Sequence, residues 1–140
     1  MATIKRFEDL KCWQNARMIC QKILVVTENS GLKNSYKLKD PIDASSGSIM
    51  DNIAEGFGRN GNIEFIHFLT IAAGSCNECQ SQLYRILDRN FIYQPEFDEI
   101  YGLVGNTRMK IFGLIEYLQQ CDIRGIKFLG RDKNKSKKAS

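Results

Sequence analysis

Apolar residues recur every three or four positions in four separate stretches of the chain, the repeat expected of helices that each bury one face. In the first, about Phe7 to Glu28, the stripe is Trp13, Ala16, Cys20, Ile23 and Thr27, with Ile19 and Val26 beside it. Asn29-Ser30-Gly31 closes it, with a glycine of the kind that ends helices. A polar link over 32–40 follows. Asp40-Pro41 then reads as an N-cap with proline at the first helical position. The second stretch runs to about Phe57 on the stripe Ile42, Ser46, Ile49, Ile53 and Gly56, and Gly47 weakens it by about 1 kcal/mol relative to alanine. Gly58-Arg59-Asn60-Gly61 makes a turn, with Asn62 as the next N-cap.

The third stretch, about 62–89, carries the clearest pattern. Phe65, Leu69, Ala72, Cys76, Cys79, Leu83 and Ile86 alternate spacings of four and three, a heptad seam of the kind that packs helix bundles. Gln94-Pro95 opens the fourth, whose stripe is Phe97, Ile100, Val104, Thr107, Ile111, Leu114, Leu118 and Cys121. Gly102, Gly105 and Gly113 lower its helix propensity; they either admit a close neighbour or are simply tolerated. No stretch alternates as a strand would. The prediction is all-α: an antiparallel up-and-down four-helix bundle over residues 1–122, followed by a charged, disordered tail over 123–140.

Charge changes the picture of what the bundle binds. Residues 123–140 hold seven Lys and Arg against Asp132 alone, a net +6, and the remaining 13 cations and 15 acids leave the body at −2. A body that gripped phosphates over its surface would carry its own positive excess. No apolar run is long enough for a membrane span, and the N-terminal residues lack the apolar core of a secretory signal, so a cytoplasmic location is expected. Five cysteines in such a chain read as reduced thiols.

Candidate chemistry is sparse. Cys76-x-x-Cys79 has no second ligand pair for zinc and lies on the seam, where free cysteine acts as a small hydrophobe. His67 is the only histidine, with Glu64 the only acid at helical spacing, and reads as a surface residue. Gly56-x-Gly58-x-x-Gly61 has the letters of a dinucleotide fingerprint but follows a helix, not a strand, so it reads as an inter-helix turn. Asn52, Glu55 and Arg59 form a polar set at the end of the second helix. Glu55 opposes the helix dipole there and has Arg59 four residues on, which makes either a local cap and salt bridge or a contact to another subunit or ligand. Lys133, Lys135, Lys137 and Lys138 make the tail an electrostatic tether, or a nonspecific RNA contact.

The run Phe7-Glu8-Asp9-Leu10-Lys11-Cys12-Trp13-Gln14-Asn15-Ala16-Arg17, then Asn52-Ile53-Ala54-Glu55-Gly56-Phe57-Gly58-Arg59, Glu64-Phe65-Ile66-His67-Phe68-Leu69 and Ala72-Ala73-Gly74-Ser75-x-x-Glu78, resembles the small bacterial proteins encoded in intervening sequences of the large ribosomal RNA gene, often labelled ribosomal proteins. Order and spacing match from about residue 7 to 120. The resemblance implies a four-helix protomer, a homopentamer and no established enzymatic activity. It also implies a relationship to the accessory proteins of diversity-generating retroelements, which are basic pentamers that bind nucleic acid. Where the family usually has an Arg-Arg pair on the second helix this chain has Asp43 and Ala44, and Met50 replaces the usual proline. Those changes weigh against nucleic-acid binding by the body. The expectation is therefore a non-enzymatic, self-associating interaction protein without cofactor, metal, membrane or small-molecule substrate; the alternatives are an RNA- or DNA-binding accessory protein, and an enzyme or metal-binding protein.

Overall fold

The computed structural model describes residues 4–123. A short 3-10 turn, Phe7–Asp9, leads into α1 (Lys11–Glu28), and another, Gly31–Asn34, joins it to α2 (Tyr36–Phe57); α3 (Asn62–Asp88) and α4 (Gln94–Ile123) complete the set. The extensive contacts run α1 to α2, α2 to α3, α3 to α4 and α4 back to α1, so the four helices close a square and α2 stands diagonally opposite α4. This is the predicted antiparallel bundle.

The seam of α3 is buried along its whole length: Phe65, Leu69, Ala72, Cys76 and Cys79 have no exposed surface, and Leu83 and Ile86 almost none. The stripe predicted for α2 is buried in full, with Leu38 and Phe57 added at its ends. Two helices differ from expectation in rotation. On α1 the buried set is Cys12, Ala16, Ile19, Ile23 and Thr27, which turns Trp13 and Cys20 to the edge. On α4 Ile115 is buried where Leu114 was expected, because the helix steps four residues from Ile111 and then three to Leu118. Buried hydroxyls on the stripes bond one turn back: Thr27 to the Ile23 carbonyl at 2.8 Å, Ser46 to Ile42 at 2.7 Å and Thr107 to Leu103 at 2.7 Å. That satisfies them without a partner helix.

Helix ends depart from the sequence reading for identifiable reasons. Gly31 does not serve as a left-handed terminator; it begins the 3-10 turn, whose Leu32 is buried and whose Ser30 hydroxyl caps the Leu32 N–H at 3.1 Å. The helix α2 starts at Tyr36, one turn before the expected Asp40-Pro41, with Pro41 inside it. Burial of Leu38, together with the Leu38 and Lys39 amides bonding to the Ser35 carbonyl at 3.1 and 2.8 Å, offsets the proline's disruption. Asn62 is not an N-cap: Gly61 takes that place at φ +97°, and Asn62 is the first residue of α3, buried in line with Phe65. At α4 the Tyr93 N–H bonds the Glu96 carboxylate at 3.0 Å, closing the N-terminus around Pro95.

One contact sets the α2–α3 corner. A Cβ on Gly56 would lie 2.8 Å from the Phe68 Cβ and 2.9 Å from the Phe65 Cδ1. The last turn of α2 therefore rests directly on α3, and the ring of Phe57 meets Phe65 edge-on at 6.0 Å. Gly105 touches only the flexible end of Gln80, and Gly74, Gly102 and Gly113 have open space at Cβ, so these are tolerated.

All five cysteines are free thiols, and four are buried. Burial pushes the Cys12 thiol to about 11 and those of Cys76 and Cys79 to about 12. At ordinary pH such thiols are protonated and pack as small apolar groups.

Three predictions rest on this packing. Gly56→Ala should destabilise the fold by about 1–3 kcal/mol through overpacking, whereas Gly74→Ala, with no clash to offset its helix propensity, should stabilise it by up to about 1 kcal/mol; urea unfolding measures both. In a thiol-labelling time course at pH 8, half-exposed Cys20 should react alone in the native protein and the other four only after denaturation. Because the folded-state values lie above the ordinary thiol value of 9.0, the stability these groups contribute is complete below that pH and should be lost as pH rises through about 11–12.

Candidate functional site

Spacings of three and four place Ser45, Ser48, Asn52 and Glu55 on one side of α2, the side turned toward α3, with Arg59 in the turn just beyond its end. The upper part of this row is stitched across the corner. Ser45 donates to the Gln82 amide oxygen at 2.6 Å, and the Ser48 and Ser75 hydroxyls bond at 2.8 Å. Asn52 bonds backward, its Nδ2 donating to the Ser48 carbonyl at 2.8 Å and to the Ser48 hydroxyl at 2.9 Å. Asn52 thus belongs to the α2–α3 hydrogen-bond row.

Glu55 and Arg59 pair with each other, Nε to Oε2, at 3.2 Å, with about half of each side chain exposed. The Arg59 guanidinium also lies 5.0 Å over the ring of Phe68, the residue on which Gly56 rests. An exposed pair of this kind contributes at most about 1 kcal/mol, and it is the salt bridge that the spacing of four predicts. Of the three predicted residues the structure joins Glu55 to Arg59 and ties Asn52 to a serine row. Lys133, Lys135, Lys137 and Lys138 lie outside the described residues.

His67 is exposed on α3, its ring edge-on to Phe68 at 5.4 Å. Among the described residues no group of three or more His, Cys, Asp or Glu side chains could hold a metal ion. Gly56, Gly58 and Gly61 serve the α2–α3 corner, not a phosphate cradle.

Two surface features were missed because the sequence reading followed only the buried stripes. Beside the core stripe of α4, the guanidinium of Arg108 lies 5.0 Å over the half-exposed ring of Phe112, next to Met109, which is 73% exposed. Its Nε is buried and has no hydrogen-bond partner among the described residues. On the far corner, the outer face of α2 presents Asp40, Asp43 and Asp51, with Ala44 and Gly47 between them, and none of the three carboxylates is in an ion pair among the described residues. The signal was available: Asp40, Asp43 or Ala44, Gly47 and Asp51 repeat at helical spacing opposite the apolar stripe. At the other end of the molecule Tyr84, Phe97 and Tyr101 form a ring cluster with centroids 4.9–5.5 Å apart, and the hydrogen bond that the Tyr84 phenol donates to Tyr101 raises Tyr84 above its ordinary value.

Comparison with known proteins agrees with this architecture. Residues 8–113 match the family model of the 23S rRNA-intervening sequence protein. A solved structure of a protein with unknown function from the S23 ribosomal protein family, from Bacteroides thetaiotaomicron VPI-5482, superposes with a TM-score of 0.67 at 20% identity, over 74% of this chain and 97% of that one. At that identity the likeness establishes the helical fold alone. The sequence matches none of the curated proteins. The matched stretch begins in the turn before α1 and ends within α4, so it takes in part or all of every helix, and the chain belongs to the 23S rRNA-intervening sequence protein family.

Proposed function

We propose that this protein is a cytoplasmic, self-associating helical module that performs no bond chemistry and acts by presenting surfaces to partners. The groups that carry reactions elsewhere are used here for packing: the cysteines in the core, the serines and Asn52 in the α2–α3 row, Glu55 and Arg59 with each other.

Arg108 is the observation that carries the reading. Its guanidinium lies over the half-exposed ring of Phe112 beside Met109, which is 73% exposed. Arginine, an aromatic ring and an exposed methionine are the residue types enriched at the centres of interfaces. The acidic, small-residue face of α2 supplies the matching half, with carboxylates to accept and little bulk to hold a neighbour away. The patches lie toward opposite corners of the square, so one copy's α2 meets the next copy's α4. Contacts of that head-to-tail kind form a ring when the rotation between copies closes. Five copies, the number the family resemblance implies, would weigh about 80 kDa from chains of 16.0 kDa.

RNA or DNA binding is the second reading. Its support is the +6 charge of residues 123–140, including Lys133, Lys135, Lys137 and Lys138. The −2 body and the acidic face of α2 count against any contribution from the bundle.

Light scattering at micromolar concentration tests the first reading. The native protein should run near 80 kDa, and Arg108→Glu should shift it toward the 16.0 kDa monomer. Adding Asp43→Arg and Asp51→Arg to that variant should restore the assembly. A monomeric native protein contradicts self-association, and a mass that rises only with added RNA at low salt favours the second reading.

A further inference from the structure

The helix α1 packs on α2 and α4, and among the described residues no other helix covers its outer side. That side carries Met18, Leu24 and Val25, which are 43%, 58% and 59% exposed. Shallow cavities of about 410 and 370 Å3 lie end to end along it and meet at Met18 and Gln21. The exposed row has a repeat of its own. Gln14, Met18, Gln21, Val25 and Glu28 alternate spacings of four and three, with Arg17 and Leu24 beside them. Three large apolar residues so close together on one helix face form a patch, not scattered singles. A cation, Arg17, stands toward one end of the row and an acid, Glu28, at the other, and neither is in an ion pair among the described residues. Lys22, between them in sequence, is already held by Glu99 of α4 at 3.0 Å.

The order of residues along this row selects the occupant. Lay a second copy of α1 antiparallel on it, about a two-fold axis through Gln21. Met18 of each copy then meets Leu24 and Val25 of the other, Gln14 lies opposite Glu28, and Arg17 comes within one turn of Glu28. Apolar residues meet apolar residues, and each unpaired charge meets its opposite. The axis falls on an uncharged side chain that both donates and accepts hydrogen bonds, so it can pair with its own copy. A contact of a surface with itself requires this self-complementarity. The parallel arrangement sets Arg17 on Arg17 and Glu28 on Glu28, like charge against like.

We propose that the outer face of α1 is a two-fold interface with a second copy of this chain, in which the two α1 helices run antiparallel, Gln21 lies on the axis and Arg17 of each copy pairs with Glu28 of the other. One helix face falls below the roughly 1,200 Å2 of a stable interface, so the pairing is transient and closes as copies are concentrated. It joins chains, or rings of chains, two by two. Arg108 and the acidic face of α2, which carry the proposed self-association, take no part in it, so either idea can fail alone.

The test is disulfide trapping in the full-length chain at submillimolar concentration. Every variant carries Cys20→Ser, which leaves only the four buried thiols. Mild oxidation of Gln21→Cys should convert most of the chain to a dimer-sized species on denaturing gels, because the axis brings the two sulfurs together. Gln14→Cys should give almost none, since antiparallel copies hold those two residues roughly 21 Å apart along the helix. Equal trapping at both positions, or none at Gln21→Cys, would overturn the proposal. Charge supplies a second readout. Arg17→Glu should cut the Gln21→Cys dimer several-fold, and adding Glu28→Arg should restore it. Within one copy the two residues stand roughly 16 Å apart, so the restoring contact has to come from another copy; a dimer that stays lost in the double variant would contradict the register. Trapping should persist in Arg108→Glu, the variant that breaks the proposed ring. Its loss there would make the contact a by-product of that assembly and would equally overturn the proposal.

Discussion

The structure depends on an unbroken apolar edge along α3. Seven side chains from Phe65 to Ile86, spaced alternately by four and three, are buried over about 32 Å of helix. Each large one contributes about 1.5–3 kcal/mol by leaving water. The α2 and α4 helices flank this edge over long contacts, and α1 closes the square from the far side. The tightest point is the corner where Gly56 admits the Phe65 ring and the Phe68 Cβ against the α2 backbone. A residue with a side chain there would push α2 outward and loosen the hydrogen-bond row, Ser48 with Ser75 and Ser45 with Gln82, that runs up the same corner.

The fold was legible because burial in a bundle has a period that the sequence must repeat. The α3 seam and the α2 stripe were read residue for residue. Rotation was less legible on α1 and α4, where two neighbouring apolar rows compete and the sequence alone does not say which faces inward. Trp13 and Cys20 against Cys12 and Ile19, and Leu114 against Ile115, are cases of this kind. Helix starts were misplaced where burial overrode local signals: Leu38 drew α2 one turn past Pro41, and Asn62 sank into the core when it could have capped.

The candidate site was legible only in part. The Glu55–Arg59 pair is a local matter of spacing, and spacing predicted it. Asn52 found a partner one turn back, through a serine row whose purpose appears only once α3 lies alongside. Arg108 was invisible from sequence for the same reason: whether an arginine is satisfied depends on what lies around it in space. The arrangement that results keeps reactive groups inside or occupied and leaves unmet charge and apolar area on the outside. That distribution is what the proposed interaction role rests on.

Native-state hydrogen exchange measures the central claim most directly. If the α3 edge organises the bundle, the amides of Leu69 to Leu83 exchange only through global unfolding and are the slowest in the protein, while those at the start of α1 open at lower cost. Slowest exchange in α1, with α3 opening first, would contradict the account.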